Sequence, residues 1–330
     1  MRFDWRLMIG TLLFVLLLSL AVFFFYSFKE EPYAPSPSSF RYKYHFVMVA
    51  RDTDKNFWTK VLYGAETVGK SEGVALEYFD SRSADAKEFE RYLEMIILSR
   101  VDGILCSVPG SSSFQSLINE AYEKKIPVVA LDKETFSNEN LSFVGVNSFD
   151  LGFKNGVALT NAVKKETKVA VFINLSLADQ SYDRYLQGFN QAIKDVKEVE
   201  VELIINSKGE SISAEEQTQL ILKNHPEIQA IVCSDVNDTL GVAKVVIDLN
   251  RVSEITIIGS GLTPEIANYI ERGVIEGVHA VDPFELGAQG MSTLLRLKQN
   301  RSLKERYDMP LFLINRDNVR RFSNNYMIVP

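Results

Sequence analysis

The chain has 330 residues, of which 46% are hydrophobic and 24% charged, and its net charge is −7. This acidic balance argues against a nucleic-acid role, because phosphate contacts need a basic surface. The length predicts two globular domains of ordinary size behind an N-terminal segment of different character.

That N-terminal segment is an uncharged run at residues 7–28, preceded by Arg2 and Arg6. As a helix it would reach about 33 Å, enough to cross a bilayer core of about 30 Å. The positive charges lie before the run, so residues 1–6 are predicted to stay in the cytoplasm. The prediction is therefore a single-pass cell-membrane protein with a transmembrane helix over 7–28 and an extracytoplasmic remainder.

A cleaved signal peptide is the alternative interpretation of the same run. The apolar part of a signal peptide is usually about 7 to 15 residues long and is followed by small residues at the cleavage site. This run is longer, ends in bulky residues, and has only Ala34 nearby as a small residue. The uncleaved anchor is the preferred prediction, with residues 29–42 as a polar, proline-containing linker.

The cysteines and histidines give no sign of a disulfide or a metal site. Cys106 and Cys233 each lie in a short apolar run and are predicted to be buried free thiols in separate lobes. The histidines are scattered, and none has a second ligand at a typical metal spacing. No metal and no cofactor are predicted.

After the linker, ten short apolar runs alternate with amphipathic helical segments between residues 44 and 299. Strands of this kind separated by helices are typical of parallel sheets covered on both faces. About five units precede residue 147 and five follow it, which predicts an α/β fold with two doubly wound lobes. A single eight-fold barrel is the alternative, but ten strands fit it poorly.

In open parallel sheets, ligands bind beyond the carboxyl ends of the strands. The residues that directly follow the predicted strands are mostly polar, as a cleft for a polar ligand requires. They include Arg51, Asp132 with Lys133, Asn147, Asp235 and Asp282.

The strand-end segments resemble one known family. VDGILCSVPGSSS, IPVVALDKET, AIVCSDVNDTLGVAK and IIGSGLTPE occur in this order within residues 43 to 315. Together they are similar to the periplasmic binding proteins of the ribose and galactose type, the type I sugar-binding proteins of ABC importers and sensors. The effector domains of LacI-type repressors share the fold, but they carry a helix-turn-helix where this chain has its apolar run.

The resemblance implies two lobes joined by a three-strand hinge. The N-terminal lobe would comprise residues 43–147 plus 282–314, and the C-terminal lobe residues 148–281 plus 315–330. The three crossings would then lie near 147–149, 279–282 and 313–317.

The resemblance also implies a first set of ligand contacts from the N-terminal lobe. Phe57 and Trp58 stand where the family stacks aromatic rings on the apolar face of a sugar. Asp132 and Lys133 match an acid–arginine pair that binds hydroxyls, although lysine lacks the planar fork of arginine. Arg51 occupies a position of polar or basic contacts.

In the C-terminal lobe, either Asp183 or Arg184 matches a helix-start arginine of the family, with one residue of uncertainty in the alignment. Asp235 matches an amide or acid that follows a strand. Each of these strand-end acids could equally be a helix N-cap.

The chain departs from the family pattern at three places: Gly261 replaces an aspartate, Val281 replaces a glutamine, and Lys55–Asn56 replaces Asn-Pro. Two hydrogen-bonding side chains are therefore missing, and losing such a partner costs about 1–3 kcal/mol. Asp282, Asn237 or water would substitute, or the ligand is not the usual pentose or hexose.

No catalytic constellation or nucleotide motif is present in the sequence, so the chain is not expected to be an enzyme. The expected function is capture of a small polar ligand, a monosaccharide, for a membrane sensor kinase or an ABC permease. An anchored enzyme and a ligand-free partner domain on the same fold are the alternatives.

Overall fold

The computed structural model describes residues 16–20, 42–51, 54–81, 86–107, 112–133, 138–173, 179–207, 211–300 and 304–322. Residues 1–41 form one unit and residues 42–330 another. In the first unit, residues 16–20 are helical. The remainder of the predicted anchor at 7–28, and residues 1–6 and 29–41, lie outside the described residues. Among the helices that are described, none is both long enough and apolar enough to traverse a lipid bilayer.

The N-terminal lobe is built on a six-stranded parallel sheet with the strand order β11-β5-β4-β3-β1-β2. Its strands are β1 (Tyr44–Arg51), β2 (Val74–Ser81), β3 (Gly103–Ser107), β4 (Val128–Lys133), β5 (Ser142–Val146) and β11 (Arg306–Asp308). Its helices are α1 (Lys55–Ser71), α2 (Ala86–Leu98), α3 (Ser112–Glu123) and α9 (Pro283–Asn300). Every residue of β3 is buried, as expected of a central parallel strand with helices on both faces.

The C-terminal lobe repeats this plan with the strand order β12-β10-β9-β8-β6-β7. Its strands are β6 (Thr167–Ile173), β7 (Val199–Asn206), β8 (Ile228–Cys233), β9 (Thr256–Ser260), β10 (Gly277–Ala280) and β12 (Phe312–Asn315). Its helices are α4 (Ser148–Ala162), α5 (Asp179–Ile193), α6 (Ser211–Asn224), α7 (Val236–Asp248) and α8 (Pro264–Glu271). Two separate sheets confirm the predicted doubly wound lobes and exclude the eight-fold barrel.

The chain passes between the two lobes at three places in the described residues. Asn147 joins β5 to α4, residues 281–282 join β10 to α9, and residues 309–311 join β11 to β12. The predicted third crossing at 313–317, with its lobe boundary after residue 314, is wrong by a few residues. The reason is that Phe312–Asn315 already pairs antiparallel with Gly277–Ala280 in the C-terminal sheet.

The cores lie on both faces of each sheet. In the N-terminal lobe, Phe46 and Met48 face one cluster while Val47 and Val49 face the other, following the two-residue period of a strand. Cys106 and Cys233 are buried in different lobes and are free thiols, as predicted.

Two helix pairs that are equivalent in the two lobes approach each other through glycines. A Cβ on Gly287 of α9 would overlap the carbonyl oxygen of Val61 on α1, and a Cβ on Gly152 of α4 would overlap that of Tyr185 on α5. Only glycine permits these backbones to come so close. The pairing fixes α1 and α5, the two helices that carry aromatic residues into the space between the lobes.

Candidate functional site

A cavity of about 160 Å³ lies between the lobes and is lined by residues of both. Its residues come from the carboxyl ends of strands and from the first turns of helices, where an open parallel sheet binds its ligand. The volume is well below the roughly 300–1,000 Å³ of pockets for drug-sized molecules, so the cavity suits a small ligand.

An aromatic wall comes from the first turn of α1. Asp54 caps this helix by accepting hydrogen bonds from the backbone N–H groups of Asn56 at 3.1 Å and Phe57 at 3.2 Å. Phe57 and Trp58 line the cavity, with ring centroids 5.4 Å apart and planes at 87°. Trp58 is 4% exposed and belongs to the core, whereas Phe57 is only partly buried. Phe57 is therefore the ring more available to a ligand.

Asp132 and Lys133 end β4 at the cavity. Asp132 has a φ of +78°, a left-handed conformation that few residues other than glycine, asparagine and aspartate adopt. Burial raises the pKa of Asp132 to about 6; Lys133 lowers it, and the nearby Asp235 and Asp54 raise it further. Burial likewise raises the pKa of Asp54. The N-terminal side of the cavity thus holds two carboxyls whose ionised forms are disfavoured.

An ion pair crosses the cavity between the lobes. Lys133 Nζ donates to Asp235 Oδ2; the Asp235 side chain is 3% exposed and that of Lys133 is 38% exposed. Asp235 also caps α7, accepting from the Asn237 backbone N–H at 2.8 Å. Burial alone would lower the pKa of Lys133, but Asp235 and Asp132 outweigh burial, so the pKa is raised. Lys133 is therefore charged and holds the two lobes together through Asp235.

A second acid, Asp238, lies in the first turn of α7 and is fully buried. Burial raises its pKa to about 7, and the charge of Asp235 contributes in the same direction. The Ser207 hydroxyl and Lys133 act against this shift. Lys133 is therefore the positive charge beside two neighbouring carboxyls, Asp235 in the cavity lining and Asp238 behind it.

The C-terminal floor of the cavity is a buried hydrogen-bonded network around Asn155 of α4. Asn155 Nδ2 lies 2.9 Å from Tyr185 Oη and 3.1 Å from Ser260 Oγ, and Asn155 Oδ1 lies 2.7 Å from His279 Nδ1. Ser260 Oγ donates to the Cys233 carbonyl at 2.9 Å. Tyr185, Ser260 and His279 all line the cavity. Burial, together with the positive charge of Lys154, lowers the pKa of His279 to about 4, so this imidazole is neutral.

Of the eleven residues predicted as ligand contacts, five line the cavity: Phe57, Trp58, Asp132, Lys133 and Asp235. Asn237 and Asp282 are in helix starts and do not line it; Asp282 accepts from the Phe284 N–H at 2.9 Å. Arg51 ends β1, and its side chain lies outside the described part of the structure. All three stay predictions, Asn237 and Asp282 without a place in the cavity lining.

The remaining predicted contacts are at the hinge or on the surface. Asn147 caps α4, donates to Asp308 Oδ2 at 3.0 Å, and accepts from Arg184 at 3.1 Å. These bonds tie the first crossing to β11 and α5. Asn147 itself does not line the cavity, although its neighbours Val146 and Ser148 do. Asp183 is exposed.

Sequence reasoning missed several residues that line the cavity, among them Asp54, Tyr182, Tyr185 and His279. It predicted Asp183 or Arg184 in α5 because the family pattern has an arginine at that helix start. Tyr182 and Tyr185 are three residues apart and share a helix face. The helical period could have found this pair. His279 was interpreted as an isolated histidine, and no local signal marks its contact with Asn155.

Two of the three departures from the family pattern, Gly261 and Val281, have a steric explanation. Gly261 has a φ of +81°, and a Cβ there would lie 2.8 Å from the Val236 Cβ. An aspartate would therefore not fit without displacing Val236. Val281 is 5% exposed and packs in the core of the N-terminal lobe. The site is built without side-chain hydrogen bonds at these two positions.

One group of described residues could hold a metal ion: Glu202, His225 and Glu227 in the C-terminal lobe. His225 and Glu227 precede β8, at the end of the sheet opposite the cavity. Lys168 already pairs with Glu202 at 2.9 Å. The group is therefore no part of the cavity.

Comparison with known proteins decides the family. A model described as "Periplasmic binding protein domain" matches residues 46–302, more than half of the chain. The chain belongs to this family. The resemblance to type I sugar-binding proteins is thereby confirmed, and because the relatives are binding proteins, so is the expectation that the chain is not an enzyme.

Several known members are similar to this binding protein over most of their length. The D-allose-binding periplasmic protein of Escherichia coli (strain K12) is 22% identical over 259 residues, which cover 76% of this chain and 83% of that protein. GanP, a glucose-galactose binding protein from Geobacillus stearothermophilus, has 29% sequence identity to this chain. Its crystal structure matches with a TM-score of 0.77 over 83% of this chain and 98% of GanP. The XylFII–LytSN complex matches with 22% identity and a TM-score of 0.73, over 83% of this chain and 98% of that one.

Proposed function

We propose that this protein captures a monosaccharide in the cavity between its two lobes. The observation that carries the proposal is the pairing of an aromatic wall, Phe57 and Trp58, with carboxylates from both lobes, Asp132 and Asp235. A sugar ring has an apolar C–H face that fits flat aromatic rings, and hydroxyls around its edge that bind carboxylates. A ligand of this kind would contact both lobes at once.

The chemistry of relatives supports a sugar as the ligand. The D-allose-binding protein and GanP are named for monosaccharides, and their similarity covers most of this chain. The small cavity volume agrees with one sugar ring. The ligand would bind both members of the ion pair. One of its hydroxyls would donate a hydrogen bond to the Asp235 carboxylate, while the Lys133 ammonium group donates to a ligand oxygen. Closing of the lobes would follow the hinge mechanism of two-lobed binding proteins.

We further propose that the binding domain is tethered outside the cell membrane by an uncleaved helix over residues 7–28. The apolar length of the run and the preceding arginines support this orientation. A fixed tether suits a permanent membrane partner, which favours a sensor kinase over an ABC permease. The XylFII–LytSN complex provides a fold-level parallel for an assembly of such a domain with another protein.

Thermal unfolding of the full chain with D-allose, D-ribose, D-glucose, D-galactose and L-arabinose tests the proposed function. At least one of these sugars should raise Tm in a saturable manner, because a ligand that binds only the folded state stabilises it by mass action. The Phe57→Ala variant is the matched control, since its unliganded fold should persist while the sugar-induced shift shrinks. Turnover of a sugar would indicate an enzyme instead, and no shift with any sugar would contradict the proposal.

A further inference from the structure

The hydrogen-bond network on the C-terminal floor determines which nitrogen of His279 carries the proton. The hydrogen of the Ser260 hydroxyl is donated to the Cys233 carbonyl, so Ser260 can only accept from Asn155. The Asn155 Nδ2 group therefore faces Ser260, and its Oδ1 faces His279. An amide oxygen only accepts, so His279 Nδ1 must be the protonated nitrogen.

In this arrangement, the network leaves one hydrogen-bond acceptor and one hydrogen-bond donor at the cavity unused. A neutral imidazole carries one ring proton, so His279 Nε2 is a hydrogen-bond acceptor. Tyr185 Oη accepts from Asn155 at 2.9 Å, which leaves its own hydrogen available to donate. Within the described part of the chain, the network uses neither His279 Nε2 nor the Tyr185 hydroxyl hydrogen. Both residues line the cavity and are almost fully buried, where an unmet polar group is costly.

We propose that His279 Nε2 and the Tyr185 hydroxyl together bind one unsubstituted hydroxyl of the ligand, and so determine specificity from the C-terminal lobe. The inference rests on the proposed sugar-binding function. A hydroxyl is the group that donates and accepts at one oxygen, which matches an acceptor beside a donor. An ether, an O-methyl or a deoxy group at that position cannot donate to Nε2. The pair supplies the side-chain hydrogen bonds that Gly261 and Val281 do not.

Asn155 is the positioning residue of this site. It holds the imidazole ring and its tautomer through one oxygen, and the Tyr185 hydroxyl through one nitrogen. The Asn155 side chain is completely buried, so it has little room to adopt another conformation. The specificity of the floor is thus set by a residue that is not itself among those lining the cavity.

The tautomer can be measured without any sugar. Nitrogen-15 NMR of the full chain with labelled histidine, at pH 7, should show His279 protonated at Nδ1 and unprotonated at Nε2. A ring protonated at Nε2, or at both nitrogens, would overturn the assignment of Nε2 as an acceptor.

Two substitutions separate the ligand contact from the structural one. In His279→Asn the amide nitrogen can take the place of Nδ1 and keep the bond to Asn155, while Nε2 is lost. In His279→Gln the amide reaches the place of Nε2, while the bond to Asn155 is lost. The probe is whichever of D-allose, D-ribose, D-glucose, D-galactose and L-arabinose raises Tm most. Its affinity should fall about tenfold or more in His279→Asn and less in His279→Gln, whereas unliganded Tm should fall more in His279→Gln.

Equal affinities in the two variants and the wild type would show that His279 is only structural. Monodeoxy derivatives of the same sugar complete the test by calorimetric titration. One deoxy position should weaken binding to the wild type about tenfold and should weaken it clearly less in His279→Asn, where only the Tyr185 contact to that hydroxyl is left to lose. If every deoxy position behaves alike in both proteins, the inference fails while sugar binding stands. If no sugar of the panel binds, the proposed function fails, and the inference falls with it whatever the tautomer.

Discussion

Asp132 combines three features that a purely structural residue would not need. It has a positive φ, it ends a strand at the cavity, and its carboxyl lies near Asp54 and Asp235. No described residue forms a hydrogen bond with its side chain. Its pKa of about 6, above the ordinary 3.8, means that ionisation at neutral pH costs folding stability. A binding residue can carry such a cost in stability, because its charged carboxylate is needed to bind the ligand.

The Asp132→Asn substitution should stabilise the ligand-free protein and weaken sugar binding. Asparagine tolerates the positive φ, whereas alanine would add backbone strain. Because the folded state holds the Asp132 proton more tightly, stability falls as pH rises from about 4 to 6 and stays lower above pH 6. The variant should therefore gain roughly 1–2 kcal/mol at pH 7.5, or about 2–6 °C in Tm, and no advantage near pH 4.

Sugar affinity in Asp132→Asn should fall about threefold to tenfold, because the amide keeps one acceptor and loses the charge. Thermal unfolding across pH and calorimetric titration provide the two measurements. A lower Tm with unchanged affinity would mean that Asp132 caps the turn after β4 and does not bind the ligand.

At the scale of secondary-structure elements, the ion pair of Lys133 on β4 with Asp235 at the start of α7 is a polar contact across the cavity. The Lys133→Met substitution leaves Asp235 and Asp238 without their cation, and should cost about 1–3 kcal/mol. This is less than breaking a fully buried pair, because Lys133 is partly exposed. Lys133→Arg keeps the charge and is the control, and should cost much less.

Small-angle scattering of the unliganded Lys133→Met chain should show a larger radius of gyration than the wild type, as the lobes separate. The double variant Lys133→Met with Asp235→Asn should recover part of the lost stability, since the uncompensated charge is gone. An unchanged radius together with an unchanged Tm would contradict a role for this pair in holding the lobes.

The glycine contacts between helices give a second prediction at this scale. Gly287→Ala should lower the free energy of unfolding by about 1–3 kcal/mol or more, and lower Tm with it, because its Cβ meets the backbone of Val61 rather than a movable side chain. Gly273→Asn is the matched control: its φ is +72° and no atom lies within 4 Å of the added Cβ. Thermal unfolding of both variants should separate them clearly. Similar small losses would show that α1 and α9 can move apart at little cost.

At the scale of the whole molecule, the sequence predicts the fold well because its signals are local and repeated. Apolar runs and helical periods define each β–α unit, and the strand ends predicted Asp132, Lys133 and Asp235 at the cavity. The third crossing was misplaced because β12 is a short edge strand whose pairing with β10 leaves little trace in the sequence. The floor network was missed for a related reason, since His279 and Asn155 are 124 residues apart. Its chemistry depends on a contact that only folding creates.

The predicted tether is also a property of the whole chain. Expressed in bacterial cells, the full chain should sediment with membranes and resist extraction by high salt or alkaline carbonate. A chain lacking residues 7–28 should not. External protease on intact protoplasts should remove the binding domain. N-terminal sequencing that finds a mature end near Ala34, with a soluble domain, would establish the cleaved signal peptide instead.

The most direct test of the account is calorimetric titration of the full chain with the monosaccharide that raises Tm most among D-allose, D-ribose, D-glucose, D-galactose and L-arabinose. The account predicts saturable binding of one sugar per chain, weakened several-fold or more in Phe57→Ala because a ring contact is lost. A folded, cooperatively unfolding chain that gives no binding heat and no Tm shift with any of these sugars would contradict the account.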